Sequence, residues 1–162
     1  MEHTSEAEER ELALVMLRSH VERCLQDIWG TRELVTDVDE DYPFRQGTAM
    51  AWVSVVAGPP PSVRVFAHAA YGLRRSAKLL GEVNDLNARS RWAKVAFAHG
   101  IVQVSIELPP AAVDRLTLAH AMAAVGEVAD SVGSLLAAVF GGRTPMPALT
   151  LEHDQNTTEE AA

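Results

Sequence analysis

The sequence predicts an α+β domain, an antiparallel β-sheet with helices in the order α-β-β-β-α-β-β-α. Three observations carry this. Apolar residues recur at three- and four-residue steps over 5–29, 76–89 and 111–140. They alternate with period two over 48–57, 62–70, 92–98 and 101–108. The connections between successive strands are short and rich in Gly and Pro, so hairpins dominate and the sheet is antiparallel.

The first helix is expected over 5–29, capped by Ser5, with acids in its first turn where the helix dipole favours them. Leu12, Val15, Met16 and Ser19, then Val21, Cys24, Leu25 and Ile28, give its helical spacing, and Gly30 stops it. The acidic stretch 36–41 reads as a loop or weak edge strand, and Tyr42–Gln46 as a short strand before Gly47. Pro59, Pro60 and Pro61 cannot continue a ladder and form a stiff link between strands 48–57 and 62–70. The second helix, 76–89, carries Leu79, Leu80, Val83, Leu86 and Asn87 on one side. His99-Gly100 supplies the positive φ of a tight hairpin turn between 92–98 and 101–108. Pro110 is expected to begin the long last helix, in which Gly126 and Gly133 lie seven apart. Each glycine costs about 1 kcal/mol relative to Ala there, so close packing against another element is the expected compensation. Gly141-Gly142 caps that helix. Residues 1–142 thus read as one domain, and 143–162, with two prolines and four acids, as a flexible acidic tail.

Alternation sorts the strand residues by face. Val53, Val55, Val63, Val65, Val95, Phe97, Val102, Val104, Ile106 and Leu108 form an aliphatic face for the core. The other face carries Met50, Trp52, Ser54, Arg64, Phe66, His68, Trp92, Lys94, Gln103, Ser105 and Glu107. Aromatics and Met mixed with polar groups are the composition of a binding surface. Met50, Trp52, Phe66 and Trp92 are therefore the candidate partner-binding residues. Three occupants fit this face: the first helix, a second subunit, or a peptide.

The chain has 162 residues, 22 acidic against 14 basic side chains and a net charge of −8. That balance argues against nucleic acid as a partner. The charge is uneven, however: the stretch 64–94 holds seven bases against two acids. Arg64, Arg74, Arg75 and Lys78 are candidate anion-binding residues on that account. One cysteine excludes an intramolecular disulfide framework and a multi-Cys metal site. No apolar run reaching a membrane span and no signal peptide is expected, which points to a cytoplasmic protein.

No reactive constellation is legible. Cys24 lies on the apolar side of the first helix, as a packing thiol does. The six histidines are scattered without HExxH spacing. Asp37, Asp39 and Asp41 alternate as in a calcium loop but lack its central Gly and distal Glu. Gly141-Gly142-Arg143 follows a helix, so it is a cap and not a phosphate cradle. Neither a catalytic residue, a metal site nor a cofactor is expected.

The stretch Leu79–Phe97, LLGEVNDLNARSRWAKVAF, resembles the YbjN or type III secretion chaperone-like (TY-Chap) family, with a helix ending in an Asn84/Asn87 pair followed by an aromatic and basic strand. Asp41-Tyr42-x-Phe44, strand 50–57, the hairpin HGIVQVSIELP and the last helix with Ala129-Asp130 and its Gly-Gly end extend the resemblance over residues 10–142. Twelve Arg against two Lys, with much Ala and Val, resembles an actinobacterial member. The resemblance implies a non-enzymatic, homodimeric chaperone-like domain that binds a protein or peptide segment. A small-molecule or nucleotide-responsive module, binding an anionic ligand through 64–94, is the alternative.

Overall fold

The computed structural model describes the backbone of residues 2–148, and side-chain surroundings from residue 6 onward. The elements are α1 (Glu2–Trp29), β1 (Tyr42–Gln46), β2 (Ala49–Val56), β3 (Ser62–Ala70), α2 (Ala77–Arg89), β4 (Lys94–Ala98), β5 (Ile101–Leu108), a 3₁₀ turn at Pro110–Ala112, and α3 (Arg115–Phe140). The order is α-β-β-β-α-β-β-α, as predicted. The five strands form one antiparallel sheet in the spatial order β1-β2-β3-β5-β4.

Several expectations shift at element ends. α1 begins at Glu2, so Ser5 lies inside it and is not its cap. β4 begins at Lys94, two residues later than predicted. Pro110 starts a separate 3₁₀ turn instead of the last helix. α3 is capped by Asp114, whose carboxylate accepts from Thr117 N at 2.7 Å. A residue that can satisfy an orphan helix N–H outcompetes the proline preference upstream. That capping bond also holds the Asp114 carboxyl below its ordinary pKa. α2 is capped by Ser76, which accepts from Leu79 N at 3.1 Å. His99 (φ 51°) and Gly100 (φ 79°) make the predicted hairpin turn.

All three helices lie on the aliphatic face. One core joins Leu17, Val21, Cys24 and Leu25 of α1 to Leu79 and Val83 of α2, Leu118 to Leu136 of α3, and Val53, Val63, Val65, Val95, Val102 and Val104 of the sheet. Phe97, Val55, Ile106 and Leu108 pack on it half-buried. Cys24 is buried there, and burial pushes its thiol pKa up. α1 is tied to β1 by Tyr42, whose hydroxyl donates to Glu22 Oε1 at 2.7 Å. Burial and that carboxylate push the Tyr42 phenol up to about 12.

The α3 glycines are contact points, as predicted. A Cβ on Gly133 would overlap the carbonyl oxygen of Ala69 in β3, and one on Gly126 would stand 2.7 Å from Gln46 Cβ. Between them, Asp130 accepts from Thr48 N at 2.7 Å and Thr48 Oγ1 at 2.8 Å, fixing the β1–β2 turn. One exclusion is corrected: α3 is long and apolar enough, by length and composition, to cross a membrane. Its apolar face is spent on the sheet, from Leu118 to Leu136.

The start of the expected tail is held by the domain body. Arg143 pairs with Tyr71 through two backbone bonds, and Met146 N donates to Thr48 O at 3.0 Å. Arg45 Nη2 donates to Pro147 O at 2.6 Å. Residues 143–147 thus strap the end of β3 to the β1–β2 turn. The rest of the expected tail, from 149 on, lies outside the described residues.

Candidate functional site

With every helix on one face, the opposite face of the sheet is uncovered among the described residues. Register sets its rows. Pro43, Trp52, Phe66, Ser105 and Lys94 stand side by side across the five strands, and Arg45, Met50, His68, Gln103 and Ala96 form the next row. The face is therefore divided. Its β2–β3 half is aromatic, and its β5–β4 half is polar.

The aromatic half is a connected cluster. Trp52 and Phe66 stack at 5.2 Å between centroids and 17° between planes. His68 lies 4.9 Å from Trp52, and Tyr71 meets His68 edge-on at 5.3 Å. The Tyr71 hydroxyl and His68 Nδ1 are 2.7 Å apart, a hydrogen bond that orients the imidazole. Burial among these rings pushes the His68 pKa down, which favours the neutral ring, and pushes the Tyr71 phenol up. Arg64 lies over the Phe66 ring at 5.4 Å, a cation–π contact that closes one end of the cluster. Tyr71 closes the other and, through its backbone, holds the strap at Arg143.

The four predicted partner residues do not form one patch. Met50, Trp52 and Phe66 share the open face. Trp92 does not: it precedes β4 in an irregular bend, so strand alternation does not reach it. It is 77% exposed on the helical side and lines a groove with Leu86, Arg89, Val128 and Val132, between α2 and α3. Nor are the four candidate anion-binding residues together. Arg64 is on the sheet face, Arg74 and Arg75 are exposed in the loop before α2, and Lys78 lies over Phe140 at 6.0 Å on the helical side. His68 and Tyr71 were not among the predicted partner residues. The alternation of His68 with Phe66 was the signal for the first, while the second follows the strand and had none.

The β4 edge of the sheet is partly taken up by side chains. On β4, Val95 N donates to Asn87 Oδ1 at 2.8 Å, and Asn87 Nδ2 donates to Val95 O at 2.6 Å. One turn later in the same helix end, Ser90 Oγ donates to Ala93 O at 2.6 Å and accepts from Ala93 N at 3.2 Å. The outward backbone groups at these two positions are thus taken by side chains from the end of α2. An added strand has no free groups there, which is how exposed edges are protected against unwanted pairing. Asn87, at the end of the second helix, thus finds its partner in the neighbouring strand.

The Asp37 carboxylate is also occupied by backbone, accepting from Asp39 N and Asp41 N at 3.0 Å each. The alternating aspartates are an Asx-type loop device.

A family model described as T3SS (YopN, CesT) and YbjN peptide-binding chaperone 1, named TY-Chap1, matches residues 15–148. The chain belongs to this family. It is a peptide-binding chaperone-like domain. Among solved structures it is similar to a chain of the crystal structure of the ExsC–ExsE complex, with 15% identity over 73% of this chain and 94% of that one, at a TM-score of 0.57. At that identity the likeness is one of fold. A comparison with curated proteins finds no match.

Proposed function

We propose that this chain is a non-enzymatic, homodimeric chaperone that holds an extended peptide segment against the open sheet face, with Met50, Trp52 and Phe66 as anchors and His68 and Tyr71 beside them. The observation that carries this reading is the stacked aromatic cluster with no element of the described chain over it. Aromatic side chains with little rotamer freedom are the residues on which binding energy concentrates. Burying their exposed area stabilises a complex by about 25 cal/mol per Å² before ordering costs. The adjoining polar half, with Gln103, Ser105 and Lys94, suits the polar side of an extended segment whose residues alternate. The closed β4 edge favours docking on the face over strand addition at that side. A homodimer is favoured by apolar surface left elsewhere, on α1 and around Trp92.

The scattered positions of Arg64, Arg74, Arg75 and Lys78 do not favour an anionic-ligand module. The test is binding of the full chain to an array of synthetic peptides with alternating apolar and polar residues. Trp52→Ala with Phe66→Ala is expected to weaken the best binders at least about tenfold, as for interface anchors, with unchanged far-UV circular dichroism. Equal binding by that double variant removes the sheet face as the site.

A further inference from the structure

The strap after α3 delivers the chain to the rim of the open sheet face. It leaves β3 at Tyr71, the residue that closes one end of the aromatic cluster, and crosses to the β1–β2 turn, where Met146 N donates to Thr48 O. There Arg45 Nη2 donates to Pro147 O at 2.6 Å. Arg45 stands in register with Met50 and His68 across β1, β2 and β3, so Pro147 is held at the first row of the open face.

The sequence that follows suits that face. Leu149, Thr150, Leu151, Glu152, His153 and Asp154 alternate apolar with polar residues at Leu149 and Leu151, the pattern of an extended segment with one buried side. The dimensions agree. Rows on one face of a sheet are about 6.6 Å apart, the rise of two extended residues. Two residues beyond Pro147, Leu149 reaches the row of Met50 and His68. Two further on, Leu151 reaches the row of Trp52 and Phe66. Thr150, Glu152 and Asp154 then face away from the rings, toward water. Tethering adds to the fit, because a segment on a short link acts at an effective concentration of about millimolar, without the association cost a free peptide bears.

We infer that residues 149–154 are an internal occupant of the aromatic face, with Leu149 beside Met50 and Leu151 on the Trp52–Phe66 stack, and that an incoming peptide must displace them. This rests on the reading of that face as the peptide site. It gives the domain a threshold: weak peptides are excluded and tighter ones bind.

The test compares the full chain with its Leu149→Ser and Leu151→Ser double variant. The first readout is the indole N–H signals of Trp29, Trp52 and Trp92 in ¹⁵N NMR. The Trp52 signal is expected to move in the variant and the other two to stay. A synthetic peptide of residues 147–154, added to the variant, is expected to move Trp52 back toward its wild-type position. The second readout is affinity for the best alternating peptides. A segment that occupies the face nine-tenths of the time weakens apparent binding tenfold, so the variant is expected to bind about tenfold tighter. An unmoved Trp52 signal overturns the inference. A moved Trp92 signal in place of Trp52 puts the segment in the groove between α2 and α3 and overturns it too. A wild-type Trp52 signal that shifts with protein concentration makes the occupant a second copy's segment, which also overturns it. So does unchanged affinity for peptides whose binding depends on Trp52 and Phe66, since two occupants of one patch compete. Where no peptide binds either form, the proposed function fails, and the Trp52 signal alone decides the inference.

Discussion

Replacing Asn87 by Ala removes both bonds that close the β4 edge at Val95. A hydrogen bond contributes about 0.5–1.5 kcal/mol net, so the two lost bonds sum to about 2 kcal/mol. The better helix propensity of Ala returns about half a kcal/mol. The net loss is about 1.5 kcal/mol, a fall of about 3–6 °C in Tm for a domain of this size. Urea unfolding followed by Trp fluorescence reads it as a lower midpoint with an unchanged m-value. Asn87→Asp sharpens the test. Its carboxylate still accepts from Val95 N–H but has no proton for Val95 O, and two oxygens then face each other. The folded state holds that carboxyl above its unfolded pKa of about 4, so its penalty relative to wild type is full near pH 7 and eases as pH falls through the raised folded value toward about 4. Both variants also expose strand-edge groups and are expected to aggregate more readily. An Asn87→Ala variant within about 0.5 kcal/mol of wild type, or an Asn87→Asp penalty that does not change with pH, refutes the edge-closing role.

Gly133→Ala drives a methyl group into the Ala69 carbonyl and is expected to cost about 1–3 kcal/mol in thermal unfolding, whereas an Ala for Gly in an open helix position stabilises. Asp130→Ala frees the Thr48 N–H and hydroxyl and is expected to cost about 2 kcal/mol, with faster amide exchange at the β1–β2 turn. The His68 pKa is lowered in the fold, so its contribution to stability is present above the ordinary imidazole value of about 6.5 and is lost as pH falls toward the folded value. His68→Gln is expected to flatten that part of the stability–pH curve, and a slope unchanged by the substitution contradicts the burial of a neutral ring in the cluster.

Much of the fold was legible because local rules govern it. Period two and period 3.6 separated the strands from the helices. The turn residues His99-Gly100 and the cap Gly141 stand where left-handed backbone is needed. Gly126 and Gly133 announced a close approach without naming the partner. Errors fell where two local signals competed, as with Pro110 against Asp114, or where alternation was carried past the end of a strand. Trp92 is the second case: two residues outside β4, it turned to the helical side and left the group it was assigned to.

The candidate site divides in the same way. That Met50, Trp52 and Phe66 share one face follows from period two and antiparallel register, so the sequence by itself determined it. Whether that face is covered depends on where α1 packs, and a helix that is apolar on both sides could go to either face of the sheet. Only the tertiary structure decided that α1 joins α2 and α3 on the aliphatic side. The Asn87–Val95 and Asp130–Thr48 pairs also needed it, because these contacts come from the ends and faces of elements that have no local signal for one another. The sequence determined the elements and their faces through short-range sterics and periodicity. The choice of neighbours is long-range packing, and it is what left the aromatic face open.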